Sequence, residues 1–257
     1  MPLRRRLRPM LRLVALGGLV LSLVPSLVPA ARAAGGGTAA GIQALQAALN
    51  PGGPGLAGLL SAGPGLDPSL VELRRRALLK QFPDARWTLT PGPGLRDGRS
   101  TVELRVQGSH KVGGSTFRLD AHQQLALTSG GGRITSQEVI REHTILRSGE
   151  QDLPVTLLIP DAVLTGQRYD VDVVLDEPLN GDLVAGGLVA LTSSQVAAME
   201  TPVLKLETLG GGGLFKTVQA PYNPGEQSWA VLLVHPKGIV SATKRVRVVA
   251  DRAQLTP

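Results

Sequence analysis

Residues 101–128 read TVELRVQGSHKVGGSTFRLDAHQQLALT, and residues 129–146 continue SGGGRITSQEVIREHTIL. Apolar and polar side chains alternate through both stretches, and successive strand residues point to opposite faces, so each stretch offers one dry face and one wet face. Val102, Leu104 and Val106 share a face of the first strand; Phe117, Leu119, Ala121, Leu125 and Leu127 share a face of the second. Arg118, Asp120, His122 and Gln124 take the opposite side. Gly113-Gly114 and Gly130-Gly131-Gly132 stand where turns are required, so residues 101–112, 116–128 and 133–146 are expected as an antiparallel meander with one side built to be covered.

Upstream lies a candidate cover. Asp67-Pro68 reads as a helix start, the carboxylate accepting a free backbone N–H and the proline fixing the first turn. Leu70, Val71, Ala77 and Leu78 recur at helical spacing while Arg74, Arg75 and Arg76 fall elsewhere, which predicts an amphipathic helix ending near Pro83 and a short strand over 87–90. Residues 34–66 are rich in Gly, Pro and Ala and carry one helical stripe, Ile42, Leu45 and Leu49; they are expected as a flexible leader with short helices.

Beyond Ser148 the strands become shorter and closer, at 154–159, 167–175, 183–191, 203–209, 214–220, 228–235 and 239–249, the pattern of a β-sandwich. Residues 67–147 carry 13 basic and 8 acidic side chains, and residues 148–250 carry 7 and 11. The expected fold class is therefore mainly β with a few N-terminal helices: an α+β curved antiparallel sheet domain at 67–148, a sandwich at 149–250 and a tail at 251–257, the two domains folding separately.

Arg4, Arg5, Arg6, Arg8 and Arg12 precede and enter an apolar run from Leu13 to Val24, and Ala31-Arg32-Ala33 supplies a small-x-small site. This reads as a signal peptide over 1–33 cleaved before Ala34, with an uncleaved anchor as the alternative. Six of the 27 basic residues and none of the 20 acidic ones lie in that segment, leaving 21 basic against 20 acidic side chains. Without the signal no basic footprint for nucleic acid remains, and no stable membrane insertion is expected after cleavage. The chain has no cysteine, which excludes disulfides, thiol chemistry and thiolate metal sites. Export to the periplasm or the exterior is the expected destination.

The helix leading into Phe82-Pro83-Asp84-Ala85-Arg86-Trp87, the loop with Asp97-Gly98-Arg99 and the three-strand meander resemble the second half of the nuclear transport factor 2-like fold. Residues 152–249 resemble a bacterial immunoglobulin-like domain. Through Pro154-Val155-Thr156-Leu157, residues 210–216 and Val234-His235-Pro236, the chain is similar to secreted proteins of photosynthetic bacteria. The resemblance implies a curved sheet backed by helices, a β-sandwich and secretion; it implies no chemistry.

Candidate chemistry is sparse. Asp120 and His122 sit at i and i+2 of one strand, where a carboxylate can raise an imidazole's basicity, so a small-molecule-binding or isomerase-like enzyme would use them as base and orienting group in a pocket between sheet and helices. The plainer reading is a solvated face flanked by Arg118 and Gln124. Glu138, Glu142 and His143 would cluster only on a helix, and their stretch is β-branched. Asp170, Asp172, Asp176, Glu177 and Asp182 lack the spacing and glycine of a calcium loop. Residues 210–213, four glycines, precede no helix and read as a turn; Lys244, Arg245 and Arg247 read as guards of an edge strand. No catalytic, cofactor-binding or metal residue is assigned in the leading reading. That reading is an exported non-catalytic binding or structural protein, with another envelope protein or a small apolar ligand as partner.

Overall fold

The computed structural model describes residues 39–149, 153–176 and 181–256; the expected signal peptide lies outside them. The chain is mainly β, as its alternation requires. Helix α1 (Ala39–Leu49) and helix α2 (Pro68–Gln81) precede four strands, β1 (Arg86–Pro91), β2 (Thr101–Val112), β3 (Ser115–Gly130) and β4 (Arg133–Gly149). There follow β5 (Val155–Leu158), β6 (Ala162–Leu164), β7 (Arg168–Leu175), β8 (Ala185–Leu191), a short helix α3 (Ser193–Ala198), β9 (Glu207–Thr208), β10 (Gly213–Gln219), β11 (Gly225–His235) and β12 (Gly238–Val249).

Local chemistry sets the boundaries. Asp67 Oδ1 accepts from the Ser69 and Leu70 amides at the start of α2. Both tight hairpin turns of the meander use glycines at positive φ, Gly113-Gly114 and Gly131-Gly132, the backbone region that matches strand twist in two-residue turns.

The expected sandwich and meander are not separate sheets. Strands run β1-β2-β3-β4-β12-β11-β8-β9 in one nine-stranded sheet, with β6 lying parallel along β12; β10-β7-β5 form a second, smaller sheet. The join is the antiparallel pairing of β12 with β4, from Gly238 opposite Gly149 to Lys244 opposite His143. Because β12 is flanked on both sides, Lys244, Arg245 and Arg247 do not guard an edge, and Lys244 and Arg245 are buried.

The register places the two hydrophobic cores on opposite faces of that one sheet. Leu146 belongs to the first core, with Val102, Leu104, Val106, Phe117, Leu119, Ala121 and the helices, while its neighbour Ile145 packs against the second. Across the join, Ser241 faces Leu146 and Ala242 faces Ile145, and Ala242, Val240, Val246 and Val248 belong to the second core. Helices therefore cover one face over β1–β4, and the small sheet covers the other face over β12, β11 and β8. In the second core Trp229 Nε1 donates to the Tyr169 hydroxyl at 3.0 Å, and that hydroxyl donates to Gln227 Oε1 at 2.7 Å, so both buried aromatic polar groups are satisfied.

Residues 39–66 are not a flexible leader. Ile42, Leu45, Ala48, Leu49, Leu56, Leu60 and Leu66 are all buried in the first core. Helix α1 also closes the sheet's outer edge. Asn50 Oδ1 accepts from the Trp87 amide at 3.0 Å, Asn50 Nδ2 donates to the Trp87 carbonyl at 2.8 Å, and Gln46 Oε1 accepts from the Leu89 amide at 2.7 Å. Side-chain amides thus stand in for a neighbouring strand. Asn50→Ala strands two backbone groups of β1 and is expected to lower stability by about 1–3 kcal/mol in urea denaturation; a loss of a few tenths or less would show that water replaces them freely.

Candidate functional site

Two clusters of ionisable side chains sit at the join, one on each face. On the face turned away from the helices, cross-strand neighbours form a row: Thr88, Arg105, His122, His143, Lys244 and Trp229. The His122 and His143 rings stack in parallel with centroids 5.3 Å apart. Arg105 holds Asp120 through two hydrogen bonds of 2.9 and 2.7 Å, and Asp120 Oδ1 is 3.7 Å from His122 Nε2. At the other end Asp161 pairs with both Lys244 and Arg141, the latter at 3.0 Å.

The electrostatics follow from these partners. Burial alone would raise the Asp120 carboxyl, but the Arg105 hydrogen bonds and charge hold it below its ordinary value. His143 is pushed down to about 4, chiefly by burial and then by the Lys244 and His122 charges. Asp120 and His122 thus share a face, as their spacing requires, but it is the face opposite the helices. Both side chains are about one third exposed, and Asp120 already has both oxygens engaged.

The second cluster lies on the helix-covered face, and the sequence did not reveal it. Glu142 of β4 pairs with Arg245 of β12 at 2.8 Å and accepts from Gln123 of β3 at 2.9 Å; Arg245 pairs also with Glu226 of β11. Arg74 of α2, 3% exposed, joins them, with Nε and Nη1 buried and without a hydrogen-bond partner. Burial lowers the Arg74 guanidinium and raises the Glu226 carboxyl. Arg74 was expected outside the buried stripe of α2, yet it lies three residues after Val71 and four before Leu78, on the same stripe. That spacing was the signal available. Glu142 likewise alternates with Thr144 and Leu146, all inward.

The other acidic groups do not converge on a metal. His143 and Glu142, adjacent on a strand, point to opposite faces. Asp170 accepts from the Thr217 hydroxyl at 2.6 Å, Asp172 from the Lys216 amide at 3.3 Å and Asp176 from the Thr156 hydroxyl at 2.9 Å, while Asp182 lies 3.5 Å from His235. Glu177 lies outside the described residues. Among the described residues no three His, Cys, Asp or Glu side chains are arranged to hold a metal ion.

Residues 150–249 match the family called Domain of unknown function (DUF8623). The matched stretch begins at the start of the small sheet's strands and ends with β12, so it contains the whole second core and one strand of the join, but not β4. No curated protein matches the chain. Chemically, the arrangement ties β4, β12, β11 and α2 together through charge.

Proposed function

We propose that the chain is an exported, non-catalytic binding or structural protein of the cell envelope, built from a partial nuclear transport factor 2-like half and an immunoglobulin-like half. What supports the reading most is that its carboxylates are already engaged by neighbouring strands: Arg105 of β2 occupies Asp120 of β3, while Glu142 of β4 is occupied by Gln123 of β3 and, across the join, by Arg245 of β12. A catalytic base needs a free lone pair facing a space that substrate can enter. Among the described residues no helix is long and apolar enough to cross a membrane.

The experiment is retention. The exported form, bearing a photo-crosslinker at the exposed Phe215, is expected to capture an envelope component reproducibly; recovery of none contradicts the proposal. Asp120→Asn is expected to cost about 1 kcal/mol or less, because the Arg105 pair is partly solvated, and to leave retention unchanged. If Asp120→Asn or His122→Ala abolished binding of a small ligand while the fold persisted, the enzyme-like reading would replace this one.

A further inference from the structure

Residues 192–200 form a strap between β8 and β9 that is fastened almost entirely to itself. Thr192 Oγ1 accepts from the Gln195 amide at 3.2 Å, the Gln195 side chain accepts from the Thr192 amide at 2.9 Å, and the Glu200 amide donates back to the Gln195 carbonyl at 2.9 Å. Among the described residues no hydrogen bond links 192–200 to another part of the chain. Helix α3 buries none of its side chains. Met199 anchors it, half-buried against the first core. Its φ of 55° makes it the sole non-glycine among the described residues in the left-handed region, a conformation held only where surroundings enforce it.

Beneath the strap is a polar floor. Gln195, Val196 and Glu200 line a crevice from above, and Ser228, Thr243 and Arg245 line it from the sheet. The space is about 10 Å³, enough for one water. Thr243 is 4% exposed and its hydroxyl makes no hydrogen bond to another protein group, the kind of buried polar atom that an ordered water commonly satisfies.

We propose that residues 192–200 are a lid that opens while the sheet stays folded, admitting small polar solutes to Thr243 and Arg245. Segments with few buried contacts and self-contained hydrogen bonds open at the low end of the local-stability range, whereas the ladder beneath opens only with the whole fold.

The cysteine-free chain gives a clean test. Thr243→Cys places a thiol under the lid, and Ser241→Cys places one two residues away on the same face, 3% exposed in the wild type but outside the crevice. Alkylation by iodoacetamide is expected to be at least tenfold faster at position 243, at a rate unaltered by mild urea, and Met199→Ala is expected to accelerate it without affecting position 241. Equal rates that both track global unfolding would overturn the lid. Should Thr243→Cys fail to fold, native-state hydrogen exchange of the wild type answers the same question: amides of residues 192–200 are expected to exchange through openings insensitive to mild urea while those of β11 and β12 exchange only with global unfolding, and exchange of both at one urea-dependent rate would overturn the lid.

Discussion

Glu142→Gln is expected to destabilise the protein by about 3–5 kcal/mol, the range for breaking a buried ion pair by neutralising one partner. Glu142 and Arg245 are 3% and 8% exposed, so the guanidinium left behind cannot turn to water. Gln keeps the shape and one hydrogen bond to Gln123, which isolates the charge as the cause. Arg74 makes the loss worse, because a second buried cation, already short of partners, then faces Glu226 with one counter-charge gone. The paired replacement Glu142→Leu with Arg245→Met is expected to cost less than the single change, since it removes both desolvation penalties together. Urea denaturation reads both. A single-variant loss below about 1 kcal/mol would mean that the cluster is wetter than its burial implies.

The second large effect is a pH dependence centred on His143. Its folded value of about 4 lies below the roughly 6.5 of an unfolded histidine, so the unfolded chain takes up the proton first. Stability contributed by this group is full above about pH 6.5, falls as pH drops toward 4, and changes no further below that. The difference between the two values corresponds to about 3 kcal/mol. Burial of the ring is the chief cause of the direction; of the groups facing it, Lys244 from β12 and His122 from β3 push the same way, and Asp120 from β3 and Asp161 from the loop before β6 oppose them. His143→Gln is expected to flatten the stability curve between pH 7 and 4 by that amount relative to wild type. Parallel curves for the two proteins would show that His143 is hydrated in the fold.

Strand positions within the meander were legible because alternation and paired glycines encode them without tertiary help: β2 spans 101–112 as read, and β3 and β4 differ by a few residues at their ends. The start of α2 was legible for the same local reason. What the sequence hid was long-range. Nothing in residues 238–249 says that their neighbour is a strand ending at 149, because a central strand and an edge strand of a half-buried sheet carry the same alternation. The charges Lys244, Arg245 and Arg247, which suit an edge, misdirect the reading until Asp161 is brought beside Lys244, Glu142 and Glu226 beside Arg245, and the Ile140 and Gln254 carbonyls beside Arg247. Glycine and proline content likewise disguised residues 39–66, whose few leucines are nearly all buried. The strand expected over 203–209 shrinks to two residues, and the capping box of Thr192 and Gln195 that starts α3 was present in the sequence but unread.

The Asp120 and His122 pair shows the same division. Their shared face followed from strand geometry, while the identity of what covers that face depended on topology. Since the helices lie on the other side, the pair sits among Arg105, His143 and Lys244 instead of in a helix-lined pocket.

Both cores rest on one sheet, joined by seven residue pairs and a buried charge cluster, so unfolding either half exposes the other's edge and its ions. The chain's two tryptophans report on this directly, for Trp87 lies in the first core and Trp229 in the second. Fluorescence-monitored urea denaturation of the single-tryptophan variants Trp87→Phe and Trp229→Phe, each referenced to its own circular-dichroism transition, is predicted to give coincident midpoints within each protein. A core that melts ahead of the backbone signal, leaving the other tryptophan in its native environment, would contradict a single cooperative sheet.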